Sequence, residues 1–179
     1  MRRLFIGVNF TNEEKDYFAL VQGVLKKYCD RARYTHPENF HLTLKFLGLM
    51  PQEAIENLIK IIDEIEIGEI VLESEHIGFF SKKRGHIAYL GFKTQPELTL
   101  MAGNLNDALI EAGLVENDEF IYTPHITLCR NAHFIVPLVD VSKGIAAKKA
   151  IRITNITLYE SINIEGVLTY QPIHMRKVT

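Results

Sequence analysis

The sequence predicts an α+β fold built as two related lobes, and three observations predict it. Strand-like and helix-like segments interleave along the 179 residues, which excludes a sandwich or a bundle. A strand, helix, strand order spans 37 residues from Leu4 to His41 and recurs over 38 residues from Ile87 to His125. Each copy closes on His-apolar-Thr-Leu, and the two histidines lie 84 residues apart, close to half the chain. We therefore expect two α+β lobes whose sheets face one another, each supplying one His-x-Thr strand.

Each element has a local reason. Residues 4–10 form an apolar run, and Thr11 with Glu14 three positions on makes a capping box for a helix. Tyr17, Phe18, Val21, Val24, Leu25 and Tyr28 then recur at helical spacing to about Cys29. Residues 40–47 alternate with period two until Gly48, which is expected to end that strand. Pro51 opens a second helix carrying Ile55, Leu58, Ile62 and Ile65 on one stripe. Residues 69–80 and 86–92 read as strands around the charged turn Ser81-Lys82-Lys83-Arg84-Gly85. A third helix runs from Pro96 to Gly113, residues 122–130 are strand-like, and strands at 150–160 and 168–178 join through residues 163–166.

Composition narrows the function classes. Lys+Arg number 20 against 22 Asp+Glu, a net charge of −2, and 47% of residues are hydrophobic. That is ample material for a core and excludes disorder. Balanced charge argues against wrapping long stretches of nucleic acid, although it leaves room for gripping one or two phosphates. The apolar N-terminal run stops at Asn9, too short for a secretory leader, and no stretch approaches the ~20 apolar residues that span a bilayer. Cys29 and Cys129 fit no metal or disulfide framework. A cytoplasmic protein without membrane partners is expected.

The chemistry sits in His41-Leu42-Thr43 and His125-Ile126-Thr127. Residues two apart on a strand share a face, so His41 projects with Thr43, and His125 with Thr127, while Leu42, Leu44, Ile126 and Leu128 go to the core. An imidazole titrates near neutral pH, so one histidine can take a proton while its twin gives one. Threonine hydroxyls donate to phosphoryl oxygens. Two such strands across a cleft bracket a phosphodiester, with either histidine as the acid. The motifs lack carboxylate or Cys partners at ligand spacing, so neither metal nor cofactor is expected.

These residues carry a family likeness. Arg3-Leu4-Phe5, His41-Leu42-Thr43-Leu44-Lys45-Phe46-Leu47-Gly48, Pro124-His125-Ile126-Thr127-Leu128-Cys129-Arg130 and, later, Leu158, Ser161, Gly166 and Tyr170 resemble the two-histidine (2H) phosphoesterase superfamily. Within it the chain resembles the RNA 2′,3′-cyclic phosphodiesterase branch, also described as 2′-5′ RNA ligase or LigT-like. The resemblance implies one bilobal domain over residues 1–179, with mainly antiparallel sheets, outer helices and a central cleft. It implies hydrolysis of a terminal RNA 2′,3′-cyclic phosphate to a 2′-phosphate without metal, with a reversible ligase activity. By motif, His41 is then the acid, His125 the base, and Thr43 and Thr127 hold the phosphate oxygens. The expected partner is RNA with a 2′,3′-cyclic phosphate end, or a small cyclic nucleotide, bound by a monomer.

Two basic residues extend the motifs. Arg130 matches the arginine that closes the second motif, yet parity puts it on the face opposite His125 and Thr127, so it reaches phosphate only where the strand ends or twists. Lys45 shares parity with His41 and Thr43 and is a candidate at the cleft mouth. Phe79-Phe80 before Lys82-Lys83-Arg84 is a candidate stacking platform with a basic turn. His36, His76, His86, His133 and His174 follow no comparable pattern and are read as structural or surface groups. Two other readings remain: the same fold acting on another cyclic phosphate or a 2′-5′ oligonucleotide, and an RNA-end-binding protein without turnover.

Overall fold

The computed structural model describes every residue except Thr94, Asp118, residues 143–147 and Thr179. In chain order the elements are β1 Arg2–Val8, α1 Asn12–Lys26, β2 Cys29–Tyr34, a 3-10 turn at Pro37–Asn39, β3 Leu42–Met50, α2 Ala54–Glu64, β4 Val71–Lys82, β5 Gly85–Phe92, α3 Pro96–Glu111, β6 His125–Phe134, α4 Leu138–Ser142, β7 Ala150–Arg152, β8 Asn155–Ile164 and β9 Val167–Lys177. The α+β class is as expected, and each recorded strand pairing is antiparallel.

The strand path, β7-β4-β5-β6-β3-β1-β8-β9 with β2 beside β6, is symmetric about its middle. The two motif strands, β3 and β6, are central, and each is flanked by the strand that opens its own repeat, β1 or β5. The halves meet edge to edge at one pair, Leu42 opposite Ile126. So sparse a seam lets the sheet curl there and splay the motif strands apart.

Helices cover one face. Phe18 and Leu25 of α1, Leu58 and Ile62 of α2, and Leu98 and Leu105 of α3 bury with Leu4, Ile6, Val8, Leu42, Leu44, Ile126 and Leu128 in one core cluster. Fully burying each such side chain contributes roughly 1.5–3 kcal/mol. Phe5, Tyr89 and Tyr159 are equally buried but lie outside that cluster, where they form an aromatic layer with their neighbouring rings. The α1 capping box forms in full: the Glu14 amide donates to Thr11 Oγ1 at 3.3 Å and the Thr11 amide to Glu14 Oε2 at 2.8 Å. No helix among the described residues is long and apolar enough to cross a membrane.

Several expectations need correction. The first helix stops at Lys26, and Cys29 begins β2, an irregularly paired strand of mostly charged and small residues with no buried apolar stripe. Gly48 does not end β3: it takes φ +75°, and the pairing steps from Leu4 opposite Gly48 to Phe5 opposite Phe46, a bulge that carries the strand on to Met50. The run 150–160 is two strands, because the chain leaves β7, paired with β4, for β8, paired with β1 in the other half. Residues 122–124 precede β6 rather than belong to it, and α2 begins at Ala54, three residues after Pro51.

Candidate active site

The two histidines are built alike. His41 immediately precedes β3 and His125 opens β6, and each donates an Nδ1–H to a backbone carbonyl two residues back: His41 to Asn39 at 2.7 Å and His125 to Thr123 at 2.7 Å. A carbonyl only accepts, so Nδ1 carries the proton and Nε2 of both rings is left for chemistry. Each ring is also wedged by aromatics. His41 packs against Phe5 at 4.8 Å and edge-on to Tyr170 at 4.8 Å, whereas His125 lies 5.2 Å from both Phe80 and Tyr89. Phe5 and Tyr89 are 84 residues apart, the same offset as the histidines they support. Gly78 admits the Tyr89 ring, which occupies the space a Cβ would need.

The expected parity of the first motif holds for His41 and Thr43, half-buried on one face with Leu42 and Leu44 buried on the other. Leu44, however, is an extra residue between Thr43 opposite Gly7 and Lys45 opposite Ile6, so Lys45 turns to the face of the buried Ile6. Antiparallel pairing of Leu42 with Ile126 sets His41 across from Thr127 and Thr43 across from His125. Each imidazole thus faces the hydroxyl of the other motif.

Arg130 departs from the parity argument for a local reason. Ala88 pairs with Cys129 and Tyr89 with Thr127, so Leu128 is an extra residue, and Leu128 and Cys129 are buried in succession. The bulge resets the alternation and returns Arg130 to the side of Thr127. The Leu128 carbonyl is satisfied by the Thr35 amide at 2.9 Å and by Nε2 of the buried Gln22 at 2.8 Å. Gln22 also donates to the Thr35 carbonyl at 2.8 Å, tying α1 to the bulge.

A cavity of about 500 Å³ takes in His41, Thr127 and Arg130. Its other walls were not legible as site residues. They come from Arg33, Tyr34 and Thr35 at the end of β2, from His36 and Asn39, and from the β8–β9 hairpin through Asn163, Gly166, Val167, Leu168 and Tyr170. Of these, Gly166 and Tyr170 belong to the closing segment singled out above. Asn39 joins the two sides: its side chain donates to the Leu168 carbonyl at 2.7 Å and accepts from the Tyr170 amide at 3.3 Å, while its own carbonyl orients His41. His125 and Thr43 lie outside this cavity's lining. Lys45 is turned away from the expected cleft mouth, donating to the buried Asn106 at 2.6 Å with its ammonium 5.1 Å from the Phe120 ring. Phe80 is engaged with Tyr89 and His125, and Phe79 with Phe134 at 5.2 Å, so neither ring is a free platform.

Burial pushes the His41 pKa down from 6.5 to about 4, overriding the upward pull of the Asn39 hydrogen bond, and Arg130 and His125 add smaller downward pushes. His125 is lowered for the same leading reason, against its Thr123 hydrogen bond, with Arg130 adding to the fall. Arg130 also counteracts the upward push of burial on Tyr170. One guanidinium therefore acts on both imidazoles and on the cavity wall. Both histidine shifts favour the neutral imidazole. Among the described residues, no group of three or more His, Cys, Asp or Glu side chains is placed to hold a metal ion.

A family model described as the AKAP7 2'5' RNA ligase-like domain matches residues 4–165. An RNA 2',3'-cyclic phosphodiesterase of Archaeoglobus fulgidus is 25% identical over 131 residues, covering 72% of each chain. The crystal structure of E. coli LigT complexed with 3'-AMP superposes with a TM-score of 0.82 at 24% identity, covering 99% of this chain and 98% of that one. The apo form of E. coli LigT gives a TM-score of 0.76 at 26% identity over the same shares.

Proposed function

We propose that this chain, which belongs to the AKAP7 2'5' RNA ligase-like domain family of 2H phosphoesterases, is an RNA 2′,3′-cyclic phosphodiesterase working by paired histidine acid–base catalysis. The observation that carries the reading is the matched hydrogen bonding of His41 and His125, which frees both Nε2 atoms on adjacent central strands. The names of the relatives add to it.

In the proposed reaction His125 Nε2 takes a proton from water, whose oxygen attacks phosphorus. The bond from phosphorus to O3′ breaks, and His41 Nε2 gives its proton to O3′, leaving a 2′-phosphate and a 3′-hydroxyl. Thr43 and Thr127 donate to the non-bridging oxygens, and Arg130 balances the charge that builds on them. A 5′-hydroxyl attacking in place of water, with the same roles, gives a 2′-5′ linkage, and in the reverse cleavage of that linkage the roles exchange. Burial disfavours the protonated form of His41, and the negative charge of a bound phosphate favours it, countering Arg130 as well.

The stronger depression at His41 favours a second assignment, with His125 as acid and His41 as base. A substrate with sulfur in place of the bridging O3′ separates them, since a thiolate leaves without protonation. It should rescue only the variant that lacks the acid. The function itself is tested on RNA ending in a 2′,3′-cyclic phosphate, in the presence of EDTA. The expected product is a 2′-phosphate; RNA that is retained but unconverted points to a binding protein instead.

A further inference from the structure

Beside the cavity, the face of β2 and β6 carries positive charge that acid–base chemistry at one phosphate does not use. Arg33 pairs directly with Arg130 across the two strands, and both line the cavity. Like charges placed opposite on neighbouring strands are destabilising, so this arrangement costs stability unless an anion lies between them. Arg33 also lines a second, open groove of about 570 Å³, shared with Arg31, Lys83, Arg84, Asn131 and His133. The two depressions therefore share one arginine.

The groove is assembled from distant parts of the chain and held in place. Gly85, at φ +120°, lets the basic turn between β4 and β5 press against β6, where a Cβ would meet the Ala132 carbonyl at 2.9 Å and His133 Nε2 at 3.0 Å. His133 Nε2 lies 3.4 Å from Arg31 Nη2 and 3.2 Å from the Arg84 carbonyl, tying β2 to that turn. Asn131 takes φ +52° at the same place. Among the described residues no carboxylate forms an ion pair with Arg31, Arg33, Lys83, Arg84 or Arg130, although the chain as a whole has a net charge of −2. Exposed cations without a carboxylate partner, running outward from the His41 cavity through Arg33 and Arg31 to Lys83 and Arg84, fit a chain of phosphates.

We propose that the strip running from Arg33 through Arg31 and His133 to Lys83 and Arg84 binds the backbone of single-stranded RNA on the 5′ side of the terminal cyclic phosphate. The inference rests on the proposed function of the cavity and adds that the substrate is an oligoribonucleotide held by its strand as well as its end. The strip supplies affinity and no chemistry, so its loss should raise KM and leave kcat alone.

The test compares the wild type with an Arg31→Ala, Lys83→Ala, Arg84→Ala variant, which leaves the cavity residues untouched. Turnover is measured on a hexaribonucleotide ending in a 2′,3′-cyclic phosphate and on a 2′,3′-cyclic mononucleotide, at several salt concentrations. The wild type should favour the hexamer, and the variant should lose most of that preference through KM while processing the mononucleotide normally, which also shows that it is folded. Loss of three phosphate contacts should flatten the slope of log affinity against log salt by about 2. An unchanged preference and slope would overturn the strip while leaving the catalytic reading standing. If neither substrate is turned over, the catalytic reading fails, and anisotropy with a labelled hexamer ending in a 2′-phosphate decides the strip alone: weaker binding by the variant supports it, and equal binding ends it.

Discussion

The two halves of this molecule carry the same motif in different surroundings. In the first half, His41 sits among Phe5, Tyr159 and Tyr170, opens onto a walled cavity and is pushed down to about 4. In the second, His125 rests on Phe80 and Tyr89, lies outside that cavity and is lowered without so large a fall. The tautomer is the same in both, because each local turn presents a carbonyl two residues back. The difference teaches that a repeated strand motif sets which nitrogen is free, while burial and neighbouring charge set how readily it takes a proton. A duplicated pair thereby becomes two groups suited to different roles.

The sharpest way to break this comparison is to remove each ring. His41→Ala and His125→Ala should each lower kcat/KM by about 10²–10⁴-fold, and near-normal turnover in either would end the paired reading. Next comes the contrast between the two basic residues. Arg130→Ala should cost about 10²-fold in kcat, as expected for a group facing developing charge, whereas Lys45→Ala should leave kcat close to wild type because its ammonium is held by Asn106.

A smaller effect tests the β6 bulge at Leu128, whose counterpart 84 residues earlier is Leu44, the extra residue of β3 between Thr43 opposite Gly7 and Lys45 opposite Ile6. Gln22→Met removes two hydrogen bonds to the Leu128 and Thr35 carbonyls and should lower stability by about 1–3 kcal/mol in urea unfolding. It should also depress kcat in the direction of Arg130→Ala, since the bulge aims that side chain. Loss of stability with wild-type kcat would separate the bulge from catalysis.

The mildest test is titration. In the unfolded chain His41 binds its proton near 6.5, and in the folded protein only near 4, so falling pH favours unfolding between those values. Stability should be fully present above about pH 6.5 and decline toward about pH 4, and His41→Gln should flatten that limb. Ring resonances followed by NMR should titrate lower for His41 than for His125, and inorganic phosphate should raise both; the opposite order would invert the comparison of the halves.

Much of this was legible in the residues. Period-two alternation placed His41 with Thr43, the Thr11 and Glu14 spacing marked the start of α1, and the interval between the histidines exposed the duplication. Other features escaped local reading. Strand β2 hides because it lies beside β6 with charged and small residues, so no apolar stripe announces it. Arg130 misled because a bulge is a property of two paired strands: the extra residue is defined only against Ala88 and Tyr89, and its carbonyl is satisfied by Gln22 from a helix more than a hundred residues earlier. Lys45 misled for the same reason: the extra residue Leu44, defined only against Ile6 and Gly7, turns it to the helix face, where Asn106 of α3 captures it.

The sequence by itself determined the class, the repeat and the two His-x-Thr pairs, since these depend on periodicity and on contacts a few residues long. Only the tertiary structure decided which groups line the His41 cavity, how far each imidazole's pKa falls, and where the positive charge gathers. Those outcomes depend on register, burial and the approach of segments distant in the chain, which no local pattern encodes.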